Sequence, residues 1–252
     1  MHFTNAIVRV PAATCADGLT TAGLGAPNPA LTREQFTRYV NTLADLGLTV
    51  TVLPAIANFP DGHFVEDTAV VTPEFAVITH PGALSREGEV STIEPVLARY
   101  RHIEHLQHGR MDGGDVLMVD KRFFVGLSSR TNQLGIREFA AIVERFGYRV
   151  DTIEVSDGLH LKSIVNYVGK NTLLLDAANT RHSAFADFEH IVVSKEEEYA
   201  GNTLWINDTL ITPEGYPNTL AQLRKLGLNI ITTPTSEIKK MDGGLTCLSL
   251  RF

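Results

Sequence analysis

Five polar residues recur at near-equal intervals along the chain, each at the start of a short β-hairpin pattern. Glu66, Asp112, His160, Asn202 and Cys247 stand 46, 48, 42 and 45 residues apart. A period of about 45 residues is in the range of solenoids and propellers, where one supersecondary unit stacks against copies of itself. After each polar residue an apolar, β-branched run is followed by a tight turn and a second run. Residues 68–72 turn at Pro73-Glu74 and return over 75–79. Residues 115–119 turn at Asp120-Lys121 and return over 123–127. Residues 161–168 turn at Gly169-Lys170-Asn171 and return over 172–175. Residues 202–206 turn at Asn207-Asp208, a hairpin signal, and return over 209–212. The fifth copy opens at Leu245 as a strand carrying Cys247 and reaches Phe252 with no return strand. Residues 6–10, Ala-Ile-Val-Arg-Val, have the composition of the missing one. Pairing these two segments would close a ring and remove an exposed edge.

Helical periodicity falls between the hairpins. The spacing predicts a helix over 33–46, capped by Thr32 and stopped by Gly47. A second spans 131–146, with Ile136, Phe139, Ala140 and Val143 on one face and Gly147 as its stop. A third covers 217–226, and a less regular one 94–100. The chain reads as a single catalytic domain over 1–252, a pseudo-fivefold α/β repeat of strand-turn-strand-helix units, without a linker. In such a ring the equivalent hairpin starts face one end of a shared axis. Glu66, Asp67, Asp112, His160 and Cys247 then converge on one pocket.

Composition narrows the partners. The charge balance is −7, from 22 basic and 29 acidic residues. That argues against nucleic acid, which wants a basic face, and is compatible with a small cationic substrate. Two cysteines, Cys15 and Cys247, are too few for a disulfide framework and lack the Cys-x-x-Cys spacing of a structural zinc site. The start of the chain has no basic region followed by a long apolar stretch. No run approaches the roughly 18 apolar residues that span a bilayer. The expected location is the cytoplasm, with no membrane contact and a reduced thiol. A homodimer is compatible with the chain, whose sequence does not set the oligomeric state.

Cysteine and histidine at matching positions of a repeat suggest a nucleophilic site, because an imidazole or a cationic substrate favours the thiolate. Separately, each has a plainer reading: a cysteine in an apolar strand is usually a small buried hydrophobe, and Cys15 is read that way. The adjacent carboxylates Glu66 and Asp67, with Asp61 and Asp112, suit a guanidinium, which pairs bidentately with carboxylates. Side-chain alternation would let only one of Glu66 and Asp67 line the pocket. A cysteine protease would need an oxyanion hole, and no such arrangement is found. Arg86 and Arg130, each after a serine, could fork around a carboxylate. Residues 17–23 form a glycine-punctuated stretch suited to a mobile lid. His102, His105 and His108 sit three apart but read as a surface loop or helix end rather than a metal site.

The chain resembles the dimethylarginine dimethylaminohydrolases of the guanidine-modifying superfamily. The resemblance rests on Phe59-Pro60-Asp61 with Phe64-Val65-Glu66-Asp67, Pro81-Gly82-Ala83 with Ser85-Arg86, and Asp112-Gly113-Gly114-Asp115. It continues through Arg130-Thr131-Asn132, Leu159-His160-Leu161-Lys162, and Asp242-Gly243-Gly244 with Cys247 and Ser249. It implies a five-bladed α/β propeller that hydrolyses N-omega-methylated arginine to citrulline and a methylamine, with no metal and no cofactor. Cys247 would attack the guanidinium carbon and form a covalent thiouronium intermediate. His160 would act as acid and then base, and Asp112 would stabilise its cationic form. Asp67, Glu66 and Asp61 would hold the substrate's cationic groups, and Arg86 and Arg130 its carboxylate. Leu19 would lie in the lid and Phe64 against the substrate. An arginine deiminase-like or citrulline-hydrolysing activity of the same superfamily is the alternative. A non-catalytic amino acid binding protein is a reading of another class. The sequence departs from the family pattern at His63, His80 and Glu87.

Overall fold

The computed structural model describes residues 2–156 and 158–252, and it carries five three-stranded sheets. The first blade joins the two ends of the chain. β1 (Asn5–Arg9) pairs in parallel with β2 (Thr49–Leu53) and antiparallel with β15 (Leu250–Arg251), in the register Ala6 to Arg251 and Ile7 to Leu250. The second blade is β3 (Ala69–Val71), β4 (Phe75–Ile78) and β5 (His102–His105). The third is β6 (Val116–Val119), β7 (Arg122–Leu127) and β8 (Arg149–Glu154). The fourth is β9 (Val165–Tyr167), β10 (Thr172–Leu175) and β11 (Glu189–Val192). The fifth is β12 (Leu204–Ile206), β13 (Thr209–Pro213) and β14 (Asn229–Thr233). In every blade the middle strand pairs antiparallel with the inner strand and parallel with the outer one. This is a five-bladed α/β propeller, closed by β1 and β15.

The middle strands are buried almost throughout. That explains why their sequences are nearly continuous apolar runs rather than alternating ones. The core lies between blades rather than inside them. Phe75 and Val77 of the second blade pack with Phe123 and Val125 of the third. Phe124 of the third packs with Leu173 and Phe185 of the fourth. Leu174 meets Leu210 of the fifth, Ile206 and Ile211 meet Ala6 and Val8 of the first, and Ile7 meets Ala76 and Ile78 of the second. Five clusters thus serve five interfaces, and each blade depends on both neighbours for its buried surface.

The helices differ in detail from the sequence expectations. α1 is Pro29–Asp45 and is capped by Asn28, not Thr32. Asn28 Oδ1 accepts from the N–H groups of Ala30 and Leu31 at 3.0 and 3.2 Å. Pro29 then takes the first helical position, where its missing N–H costs nothing. Thr32 lies inside the helix and bonds back to the Asn28 carbonyl. α2 is a single turn, Glu94–Leu97, after a 3-10 stretch at Leu84–Thr92. α3 is Gln133–Val143, capped by Asn132 rather than begun at Thr131. α4 is Pro217–Arg224, and a short α5, Ser236–Lys239, precedes the last hairpin. The fourth blade has two 3-10 turns, Ala178–Arg181 and Ser183–Phe185, in place of a helix. There Asp176 and His182 accept bonds from nearby backbone N–H groups, which competes with helix formation.

Each inner strand is preceded by a 3-10 turn: Val65–Thr68, Gly113–Asp115, Leu161–Ser163, Lys195–Gly201 and Thr246–Leu248. Cys247 is therefore in a turn and not in the expected strand, which begins only at Leu250. Glu66 and Asp67, expected just before a strand, lie in the 3-10 turn that precedes it. These turns put the recurring polar residues around the propeller axis.

Candidate active site

One cavity is lined by Leu19, Asp61, Phe64, Asp67, Arg86, Arg130, Leu159, His160, Met241, Asp242, Gly243 and Cys247. It brings together residues from three of the five hairpin starts or their flanks, Asp67, His160 and Cys247. Asp112 lies behind it, fully buried, with Oδ2 3.0 Å from His160 Nε2 and Oδ1 accepting from the Gly82 N–H at 2.7 Å. Asp67 Oδ1 lies 4.0 Å from the same imidazole nitrogen and accepts from the Gly114 N–H at 2.9 Å. Gly114 is required by close approach, because a Cβ there would stand 2.8 Å from both Asp67 and His160.

Electrostatics set opposite states for the two central residues. Burial disfavours the His160 imidazolium, but the charge of Asp67, the Asp112 hydrogen bond and the charges of Asp115 and Asp112 outweigh it. The pKa rises to about 9. Burial, then the negative charges of Glu66 and Asp67, push the Cys247 thiol up to about 12, against the Gly244 N–H and Lys162. At neutral pH the resting pair is imidazolium and thiol. Asp67 goes down to about 2: burial works against it, and the His160 and Arg86 charges prevail. Asp61 is raised by burial, which Arg86 and the Leu19 N–H only partly offset.

The two arginines differ. Arg86 is buried and committed: Nε and Nη2 bond both oxygens of Glu89 at 3.0 and 2.8 Å, Nη1 bonds Asp67, and Nη2 also bonds the Phe64 carbonyl at 3.0 Å. Arg130 has a looser ion pair, 3.7 Å from Asp112.

Glu66 and Asp67 diverge, as alternation suggested, though within a turn. Asp67 faces the Cys247 cavity. Glu66 lines a second cavity along the axis, with Lys162, Asn166, Thr246, Ser249 and Arg251. Its Oε1 pairs with Lys162 Nζ at 2.7 Å and Arg251 Nη2 at 2.9 Å, while its buried Oε2 has no hydrogen-bond partner among the described residues.

The stretch expected as a lid is strapped across the cavity. The Leu19 N–H bonds both oxygens of Asp61, Thr20 Oγ1 bonds the Lys240 carbonyl, and Thr21 bonds Asp242. Leu19 itself is 42% exposed. Asp67, Asp112 and His160 offer ligand atoms within 4.8 Å of one another. Those atoms are already engaged with one another, with Arg86 and with backbone N–H groups, so the cluster is satisfied without a cation. His102 and His105 lie on β5 rather than in a loop or helix, and face Glu104 and Glu94 respectively.

A curated dimethylarginine dimethylaminohydrolase of Pseudomonas aeruginosa is 39% identical over 253 residues, covering 99% of this chain and 100% of its own. The chain belongs to the dimethylarginine dimethylaminohydrolase family. A solved structure of the Pseudomonas aeruginosa family member, a cysteine-to-serine mutant complexed with citrulline, superposes with a TM-score of 0.98 at 38% identity over the whole of both chains. Another family structure, the adduct of a histidine-to-glycine variant with S-methyl-L-thiocitrulline, gives 0.97 at 39% identity over 99% of this chain and 100% of that one. No protein-family model matches the chain.

Within the family pattern, the three departures have distinct surroundings. His80 and Arg110 both face Glu87, at 3.4 and 2.8 Å, outside the cavity lining. His63 is buried beside Phe64, ring centroids 4.0 Å apart, and neither ring nitrogen makes a well-formed hydrogen bond to the described residues. Burial and the Arg86 charge take its pKa down to about 3, with only weak support from the Pro60 carbonyl.

Sequence reasoning missed the residues that organise the site from behind. Asp115 is buried and accepts from the Leu161 N–H, Ser128 Oγ and Thr131 Oγ1 at 2.8, 2.7 and 2.6 Å. It thereby ties the His160 turn to the Arg130 loop. Its place in Asp112-Gly113-Gly114-Asp115 was the available signal. Glu89, the main partner of Arg86, had none beyond its three-residue spacing.

Proposed function

We propose that this protein hydrolyses N-omega-methylated arginines to citrulline and the corresponding methylamine. One observation carries the reading: a thiol and a carboxylate-held imidazolium share a cavity whose walls are Asp61 and Asp67. Asp67, beside the imidazolium, suits the planar N–H donors of a guanidinium, and Asp61 suits a second cationic group. The substrate's positive charge also offsets the two charges that hold the thiol neutral, so binding favours the nucleophile's formation.

On binding, the Cys247 thiol releases its proton to solvent, since His160 is already cationic; the thiolate then attacks the guanidinium carbon, and a C–S bond forms. His160, cationic at neutral pH, gives its proton to the methylated nitrogen. The C–N bond breaks and the amine leaves. Neutral His160 takes a proton from water, whose oxygen adds to the thiouronium carbon. Collapse breaks the C–S bond, the hydroxyl proton passes to the departing thiolate, and the ureido product leaves with thiol and imidazolium restored. Asp112 holds the imidazole in place and stabilises its cation. Arg130, less committed than Arg86, takes most of the substrate carboxylate, and Arg86 adds its remaining Nη1 hydrogen while holding Asp67. Asp61 and the Leu19 backbone receive the α-amino group, and Phe64 packs against the aliphatic stem. The reaction needs no cofactor, and the protein acts as one catalytic unit.

The test is citrulline release from asymmetric dimethylarginine, beside free arginine. Citrulline from the methylated substrate with little from arginine supports the reading. Release from arginine alone would reassign the protein as a deiminase with the same nucleophile.

A further inference from the structure

Asn202 precedes the fifth blade's hairpin as Glu66, Asp112, His160 and Cys247 precede theirs, yet the chemistry proposed above uses only those four. Asn202 does not line the Cys247 cavity. Its buried amide instead spans two turns. Nδ2 donates to the Lys162 carbonyl at 3.0 Å and to Thr246 Oγ1 at 3.2 Å, and Oδ1 accepts from the Thr246 N–H at 3.0 Å. Lys162 belongs to the 3-10 turn that starts directly after His160. Thr246 opens the turn that carries Cys247. A second amide, Asn166, holds the same Lys162 carbonyl at 2.6 Å and the Gly201 carbonyl at 2.9 Å, which fixes the near side of the bridge.

The same side chain also sets the loop before the nucleophile. Gly244 lies flush against the Asn202 amide, where any Cβ would collide with it. The Gly244 N–H is the backbone donor that favours the Cys247 thiolate. The Asn202 contacts join the base's turn, the nucleophile's turn and the nucleophile's backbone donor through one residue.

We propose that Asn202 is a positioning residue that fixes the separation and orientation of His160 and Cys247. It acts through the two turns and touches no substrate. The inference rests on the Cys247 and His160 chemistry given above. Small displacements are costly in such a site, since a shift of about 1 Å can lower turnover on the order of 100-fold.

Asn202→Ala removes all three hydrogen bonds, and Thr246→Val removes the Nδ2 bond to the hydroxyl, with that hydroxyl's own 4.0 Å contact to Cys247 Sγ, while keeping its volume and N–H. In steady-state kinetics on asymmetric dimethylarginine, Asn202→Ala should lower kcat about 10- to 100-fold with KM within about threefold, and Thr246→Val should lower it about two- to fivefold. Alkylation by iodoacetamide at pH 8 supplies a readout that general loosening would move the other way. A merely structural role would expose Cys247 and speed its alkylation, whereas loss of the aimed Gly244 N–H should slow it. A kcat within twofold of wild type, a loss appearing only in KM, or faster alkylation would overturn the proposal. If Asn202→Ala does not accumulate as folded protein, Thr246→Val carries the test, and an unchanged kcat and alkylation rate there overturn it. Absence of citrulline release by the wild type would strike at the functional reading, while the alkylation comparison would still judge Asn202.

Discussion

His63 should make the protein acid-sensitive by an amount that its surroundings set. Its ordinary value is 6.5, and burial next to Arg86 takes it down to about 3. The unfolded chain therefore accepts a proton below 6.5 that the folded chain refuses until about 3. The sign follows: stability is full above 6.5 and is lost as pH falls through the window between those two values. At 1.36 kcal/mol per pH unit, the loss from pH 7 to pH 4.5 is about 2.5 kcal/mol. For a chain of this length that is about 5–10 °C in Tm. His63→Leu removes the titration and keeps an apolar group of similar size against Phe64. Urea melts of the two proteins at pH 7 and 4.5 should show the wild type losing about 2.5 kcal/mol more than the variant over that interval. Asp67, held down to about 2, is common to both proteins and cancels. Equal losses in the two proteins would refute the reasoning. So would a His63 imidazole that titrates above pH 5 by NMR in the folded state.

Cys247→Ser should lower citrulline release by at least about 1000-fold while the protein keeps its melting temperature within a few degrees, measured by activity and thermal melts. His160 donates a proton only while cationic, so kcat should fall as pH rises through about 9. Asp112→Asn weakens the support for that cation and should move this alkaline limb to lower pH, as read from pH–rate profiles. Gly114→Ala places a methyl against Asp67 and His160 and should cost activity by about 10-fold or more with only a modest loss of stability, checked by kinetics beside melts.

The architecture was legible because the signals are local and repeated. Hairpin turns at Asp120, Asn171 and Asn207 adopt positive φ, which asparagine and aspartate tolerate. The apolar middle strands announced burial on both faces. Even the closure of the first blade followed from a hairpin that lacked its return strand. What failed was the local conformation of the site. Glu66, Asp67 and Cys247 sit in 3-10 turns, a conformation that stretches of three or four residues do not advertise by periodicity. Thr32 was expected as a cap and Thr131 as a helix start, but Asn28 and Asn132 cap the two helices because their side-chain oxygens reach the free N–H groups at the true helix starts. The commitment of Arg86 to Glu89 and the bridging by Asn202 depend on which side chains meet across blades. No pattern along the chain carries that information.

The pairing of β15 with β1 also fixes an order of events during synthesis. β1 emerges first, and its antiparallel partner only after the hairpins of the other four blades. The segment bearing Cys247 comes with that last partner. A growing chain can form hairpins early, but the interfaces flanking the first blade cannot both close until residue 250 is available. Until then β1 presents an unpaired edge, the kind of surface that invites association with other chains. A nascent chain thus holds the acids and the base of the site before it holds the nucleophile. Synthesis interrupted before residue 245 would leave a chain that is both aggregation-prone and without the thiol.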